Sequence, residues 1–544
     1  MDLLTALLFL FGQAQPSVLP DAGQLAKIEG RVVHALTGEP VRKAKLTLRK
    51  RSVDMMAPPG AAPAGAASDD EGRFVFDKLE PGTYSLYAER SGFLRQEHGA
   101  RGNPFMGTPL TLRAGEQMTG VTFKLLPQAV IAGRVVDDEG EPVQHAQVQA
   151  MRQAGSGGQA MSMGVATNDL GEFRVADLAP GRYLLRVMPG PNMFGGAPTP
   201  PPEKEGQKRR QALLPTYYPG VTDAAGASPI NVSPGQQVSG ISVQLQKGSV
   251  YRISGKLSAR PAAGRMARVM IMTRQRGSMS FGGGGSGMVK PDGAFDIDNV
   301  QPGSYYLIGT QNDISGGRPQ PLGRAAVDVT DQDVEGVTLV PQDSVDINGT
   351  VRVEGEKQVS TAGMRLMLVP AEMMPFSASN AAVGEGDAFQ LNGVMTDRYY
   401  LSFFGIPQDY YVRAARFGNE DALKGLHVTG AGQLEILLAP GAATVQGLVE
   451  QENKPYPGAF VLLASEPYAP EKTYLRKFAT SDQNGRYEFK SVAPGDYRVY
   501  AWPEPQMPMP SQAEDLKPFQ NNSAKITVRE GGSEQANVTV IAVP

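Results

Sequence analysis

One stretch of this sequence is written several times over, and that repetition constrains the fold more than any other feature. "DDEGRFVFDKLEPGTYSLYAERSGF" begins at Asp69, "NDLGEFRVADLAPGRYLLRVMPG" at Asn168 and "SDQNGRYEFKSVAPGDYRVYAWPE" at Ser481. In the first copy Phe74 and Phe76 alternate with polar residues, and so do Tyr84, Leu86 and Ala88. Alternation with a period of two is the signature of strands with one buried face. Between the two runs, Glu80-Pro81-Gly82-Thr83 reads as a type II turn. Proline presets φ near about −65° and glycine accepts the positive φ that follows. The stretch therefore predicts a β-hairpin, which needs a second sheet to cover its apolar face.

The repeat extends in both directions. A strand pair precedes it, in "GRVVHALTGEPVRKAKLTL" from Gly30, "GRVVDDEGEPVQHAQVQA" from Gly133 and "GLVEQENKPYPGAFVLLA" from Gly447. A closing pair follows, in "PLTLRAGEQMTGVTFKL" from Pro109, "PINVSPGQQVSGISVQL" from Pro229 and "KITVREGGSEQANVTV" from Lys525. Two weaker copies centre on "KPDGAFDIDNVQPGSYYLIGT" and "GDAFQLNGVMTDRYYLSFF". In the second of these Thr396-Asp397 replaces Pro-Gly, so its turn must differ. The prolines fall at 81, 180, 302 and 494 with Thr396 as the remaining equivalent, a step of about a hundred residues. The expectation is all-β: five tandem β-sandwich units at 27–128, 129–248, 249–344, 345–442 (divergent) and 443–544, joined by short linkers into an elongated array. With 64 Gly and 43 Pro the composition suits turn-rich sheets.

These motifs resemble the carboxypeptidase regulatory-like domain, a transthyretin-like β-sandwich related to the B-type repeats of bacterial surface proteins. The likeness rests on G-x-V-x-D-x-x-G-x-P-V-x-x-A-x-V followed by D-x-x-G-x-F-x-F-x-x-L-x-P-G-x-Y. It runs from Lys27 to Val543 and is strongest in the first, second and fifth units. What it implies is an Ig-like sandwich serving as a non-catalytic appendage, an extracytoplasmic spacer, or a binding and adhesion module. The architecture is also grouped with starch-binding-like sandwiches.

Residues that could carry chemistry are few. The four histidines, His34, His98, His145 and His427, are followed by "ALT", "GAR", "AQV" and "VTG", so no HxxE or HExxH motif exists. With no cysteine there is no thiol nucleophile, disulfide or lipobox. No G-x-S-x-G elbow or P-loop occurs, and no cofactor or metal is expected. The carboxylates of Asp137–Glu141 read as a solvated turn, not a calcium loop. A net charge of −3 and a pI near 6.0 give no general attraction to nucleic acid. The start, residues 1–15, is signal-peptide-like: Leu3 to Phe11 is apolar and Gly12 to Gln15 offers small residues, although Asp2 stands where a basic residue is usual. No later run is long and apolar enough for a transmembrane helix.

The expected function is a non-enzymatic, extracytoplasmic scaffold, adhesion or ligand-binding protein of the periplasm or cell surface, whose partner is a polysaccharide or a surface protein. For the carbohydrate-binding alternative, flat rings in insertions are the candidates: Tyr217, Tyr218, Tyr410, Tyr411 and Trp502. Paired tyrosines can equally pin a long loop to its own domain. Lys43, Lys45, Arg49 and Arg51 form an outward basic stripe. Four insertions carry methionine pairs, Met55 and Met56, Met161 and Met163, Met279 and Met288, Met373 and Met374, and read as mobile contact loops. Modularity has a direct test. Phe489→Ala should destabilise the fifth unit by about 3–5 kcal/mol while the first stays folded. Hydrogen exchange resolved by unit would check this, and simultaneous loss of protection in every unit would refute it.

Overall fold

The computed structural model describes residues 25–51, 62–101, 103–153, 159–161, 164–190, 210–258, 265–274, 286–313, 320–340, 343–355, 359–371, 379–504 and 512–542. The signal-like segment and Met55, Met56, Met163, Met279, Met373 and Met374 lie outside them. Met288 ends the strand Ser286–Met288 and is half exposed. No helix among the described residues is long and apolar enough to cross a membrane.

The alternation read from the sequence is the alternation observed. In the first unit Phe74, Phe76, Tyr84, Leu86 and Ala88 are all buried, and they share one core with Ile28, Val32, Leu46, Leu48 and Phe123. Further clusters of buried residues lie within 129–245, 251–339, 347–438 and 443–540. Each is enclosed by two sheets.

What differs is which strands pair. In the first unit the opening strand Ala26–His34 lies between Arg73–Leu79, antiparallel, and Gln117–Leu125, parallel. The other sheet sets Lys45–Lys50 between Ala64–Ala67 and Gly82–Glu89, with Leu110–Leu112 beyond. Strands Arg73–Leu79 and Gly82–Glu89 therefore stand in different sheets, and the expected hairpin is a corner between layers. The same holds for the opening and closing pairs. Alternation specifies which side of a strand is buried, and a hairpin and a corner bury the same side; partner choice depends on contacts distant in sequence. All five units repeat the plan. Their opening strands start at Ala26, Ala129, Lys247, Ser344 and Ala443, and each pairs in parallel with a closing strand.

The corner also departs from the expected type II turn. Gly82, Gly181 and Gly495 have φ of 150°, 156° and 151°, well beyond the value of about +80° that such a turn requires. The left-handed residue lies four positions earlier, at Lys78, Asp177, Asn299, Gly393 and Ser491, with φ between 53° and 61°. There the strand bulges and its register to the opening strand shifts. Four of the five are not glycine, so composition gives little sign of the bulge.

A tyrosine two residues past the corner ties it down. The hydroxyls of Tyr84, Tyr183, Tyr305, Tyr399 and Tyr497 donate to the carbonyls of Glu80, Ala179, Gln301, Met395 and Ala493 at 2.7, 2.6, 3.0, 3.0 and 2.9 Å. The bond survives in the fourth unit, where Pro-Gly is absent. The rings belong to the cores, so each tyrosine adds apolar burial to a bond that holds the crossover.

Burial raises the pKa of all five phenols, that of Tyr399 to about 12. The unfolded chain ionises near about pH 10, so the native state holds the proton longer. This stability is whole below about pH 10 and is lost as pH rises through the window from there to about 12. Tyr399→Phe should lower stability at neutral pH by about 1–2 kcal/mol. It should also reduce the alkaline loss between about pH 10 and 12, measured as urea midpoints of variant and parent. A parallel alkaline decline in both proteins would remove Tyr399 as its source.

Candidate functional site

The aromatic residues singled out from the sequence are not brought together. Trp502 is 1% exposed and Tyr410 5% exposed, so neither offers a face to a sugar ring. Tyr410 sits in the core of the fourth unit, and Tyr218 packs on the core of the second. Both pin their own domains. Tyr217 is half-buried in a short strand paired with Arg186 and Val187, with the Arg186 guanidinium 5.9 Å from its ring. Tyr411 lines a crevice with Tyr474 and Ser491, where the fourth unit meets the fifth. Of the basic stripe, Lys45 pairs with Glu89 at 3.2 Å and Arg49 lies 6.0 Å from the Tyr87 ring. Asp137 accepts the amides of Glu139 and Glu141 at 2.9 Å, as a turn residue does. Among the described residues no three His, Cys, Asp or Glu side chains group as metal ligands.

Trp502 is buried because the fifth unit covers both faces of one sheet. Val461, Leu463, Val499 and Ala501 face the sandwich interior, whereas Phe460, Leu462, Ala464, Tyr500 and Trp502 form a second cluster on the other side. Tyr500 and Trp502 stack with centroids 5.6 Å apart and planes 9° from parallel, and Phe519 meets Trp502 edge-on at 5.6 Å. Leu516, from the short helix Ala513–Leu516, and Ile541 complete the cluster. The run Ala459–Ala464 is apolar at every position, which is the pattern of a strand buried on both faces.

One cover of this cluster comes from far away in the chain. Met106, of the first unit, packs against it. Around that contact the two units meet in a seam. The Thr111 amide donates to Gln483 Oε1 at 2.9 Å, and Gln483 Nε2 donates to the Thr111 carbonyl at 3.0 Å. The Arg101 guanidinium lies 3.9 Å from the Tyr456 ring centroid. Nearby, Arg152 of the second unit pairs with Glu504 at 3.3 Å. An extended array would keep the first and fifth units apart; these contacts close the chain on itself. Neighbouring units also interlock: Arg210–Leu213 of the second adds to the opening strand of the third, and Thr473 Oγ1 of the fifth donates to Leu401 of the fourth at 2.6 Å.

The loop that carries the seam on the first unit is braced from beneath. Glu97, fully buried, accepts the Gly107 amide at 3.0 Å, and the Thr108 amide donates to the His98 carbonyl at 2.6 Å. The His98 ring sits edge-on to Phe123 at 5.8 Å, and burial holds its pKa below the usual histidine range.

On the fifth unit the seam is written as departures from the repeat. Tyr456 stands where the first two units have Val41 and Val143; Gln483 where they have Asp70 and Asp169; Phe460 where they have Lys45 and Gln147; Trp502 where they have Glu89 and Met188. Gly458 replaces Lys43 and His145, which adopt the same left-handed backbone, φ 56° and 59° against 75°. The backbone there does not demand glycine. The reason is proximity: a Cβ on residue 458 would lie 2.7 Å from Thr108 Oγ1. Each change is legible by superimposing the repeats, but its meaning requires the partner surface.

Residues 27–126 and 130–193 match the family model of the carboxypeptidase regulatory-like domain, so the first unit and the first part of the second are similar to that domain. Solved structures with similarity include the Bacillus anthracis TIE protein (11% identity, TM-score 0.16, 58% of this chain and 50% of that one). The minor pilin GBS52 of Streptococcus agalactiae follows at 12% identity and TM-score 0.23, covering 41% of this chain and 96% of that one. BcpA, the major pilin subunit of Bacillus cereus, is 11% identical with TM-score 0.13, covering 76% and 99%. This chain thus spans half the length of the anthrax protein, and none of these likenesses amounts to a shared whole-chain fold. No curated protein shows a match.

Because Trp502 is the single tryptophan, its emission reports on the seam. Met106→Ser should admit water to the cluster and shift that emission to the red without melting the first unit. Unchanged emission would mean that Met106 does not seal it.

Proposed function

We propose that this chain is an exported, non-enzymatic scaffold of five β-sandwich domains, divided as the repeat predicts, that holds binding or adhesion surfaces in the periplasm or at the cell surface. The observation that carries this reading is the use made of the recurrent polar side chains. Ser68, Thr167 and Ser481 each donate to a carbonyl, of Val41, Val143 and Tyr456, at 2.6–2.7 Å and accept the amide of Ala44, Ala146 or Ala459. Asp69, Asn168 and Asp482 each accept two turn amides. The tyrosine hydroxyls close the corners. What the repeat conserves among its own copies is architecture, and a catalytic group would have to stand outside it.

The purified chain should hydrolyse neither peptides nor glycosides. Activity that is abolished by replacing one histidine or carboxylate would overturn the reading. A glycan array separates the carbohydrate-binding alternative: signal lost on Tyr217→Ala or Tyr411→Ala would establish it, because those rings are partly exposed and, unlike Tyr218, do not pack on a principal core.

A further inference from the structure

The seam joins two unlike surfaces, residues 98–101 and 103–111 of the first unit and the turns at 456–458 and 483 of the fifth. A contact between unlike surfaces is not restricted to one chain. Made between copies, it links them head to tail. Among the described residues its contacts are those of a separable joint: two neutral hydrogen bonds, a cation–ring contact, a methionine on an apolar cluster and the close approach of Thr108 to Gly458. The principal cores of the two units share no residue, so opening the seam leaves both packed. It uncovers part of the Trp502 cluster, an apolar surface whose complementary shape is carried by every other copy.

We propose that the seam is exchangeable, and that the first unit of one copy seats on the fifth unit of another through Met106, Arg101–Tyr456, Thr111–Gln483 and Thr108–Gly458. Within one chain the contact has the advantage of tethering, and copies compete as their concentration approaches the effective concentration set by the intervening units. The occupant follows from the fit: residue 458 is stripped to hydrogen where Thr108 abuts it, and Gln483 matches both main-chain groups of Thr111. This self-association adds to the scaffold reading and stands independently of it.

The absence of cysteine makes a clean test possible. A Cβ on residue 458 would stand 3.7 Å from Thr108 Cβ, within the disulfide range of about 3.5–4.5 Å. One full-length chain carries Thr108→Cys and a second carries Gly458→Cys, a position whose backbone Lys43 and His145 show to be open to side chains. The two are mixed and oxidised over a concentration series. A disulfide between the two variants then requires the first unit of one copy on the fifth of another. The expected result is a mixed dimer in excess over both same-variant dimers, rising with concentration. It should fall at least about tenfold when Arg101→Glu and Gln483→Ala are added. Circular dichroism melts establish that each variant is folded. Sedimentation of the cysteine-free parent gives a second reading, dimers and longer chains that Arg101→Glu abolishes. Dimers in random proportion, or a parent that stays monomeric at millimolar concentration, would overturn the proposal.

Discussion

The bond from a buried tyrosine hydroxyl to the carbonyl four residues earlier holds the rest together. It sits where the chain leaves one sheet and enters the other, and it recurs in all five units. A corner has no ladder of its own, because the strands on either side pair with different neighbours. Without a tie the corner would be free to slide, and in the second and fourth units, where Ala179 and Met395 are buried, a buried carbonyl would lose this partner at a cost of about 1–3 kcal/mol. With it, the bulge four residues before the glycine and the ring beneath the sheet are set at once. The fourth unit separates cause from habit: it has lost Pro-Gly but kept Tyr399 and its bond to Met395.

On this frame the fifth unit is the one that differs in kind. Its second sheet is buried on both faces, its single tryptophan belongs to that extra layer, and the layer is completed by Met106 of the first unit. Tandem sandwiches are usually pictured as beads whose only contacts are with neighbours. Here the first and fifth units meet through residues that depart from the repeat. The exposed Lys45 and the partly exposed Glu89 of the first unit correspond to Phe460 and Trp502, and a turn aspartate becomes a glutamine that binds main chain. The same covalent plan thus makes a free domain surface or a receiving one according to a handful of positions.

Much of the fold was legible beforehand. Alternation in Phe74, Phe76, Tyr84, Leu86 and Ala88 identified the core face, because burial on one side of a strand leaves a period-two trace whatever the strand pairs with. The pairing itself was misread as a hairpin, since corner and hairpin share that trace. The bulge escaped because Lys78, Asp177, Asn299 and Ser491 are ordinary residues held at positive φ by the surrounding sheet. Among the candidate residues for sugar stacking, Trp502 and Tyr410 are buried, and Tyr410 fits the other reading of a paired tyrosine, a ring that pins a loop to its own domain. A large aromatic outside the repeat pattern marks a special surface, but it does not say whether that surface faces water or another domain.

By itself, then, the sequence determined the all-β class and the inward side of the strands in the repeated motif, because these depend on spacing along the chain. The tertiary structure alone decided three things: that consecutive strands of a unit lie in opposite sheets, that a tyrosine closes each crossover, and that Thr108 meets Gly458. The physical reason is the same for all three. Each depends on contacts whose partners are chosen by packing across the fold, and a Gly458 required by a neighbour 350 positions away is written no differently from one required by its own backbone.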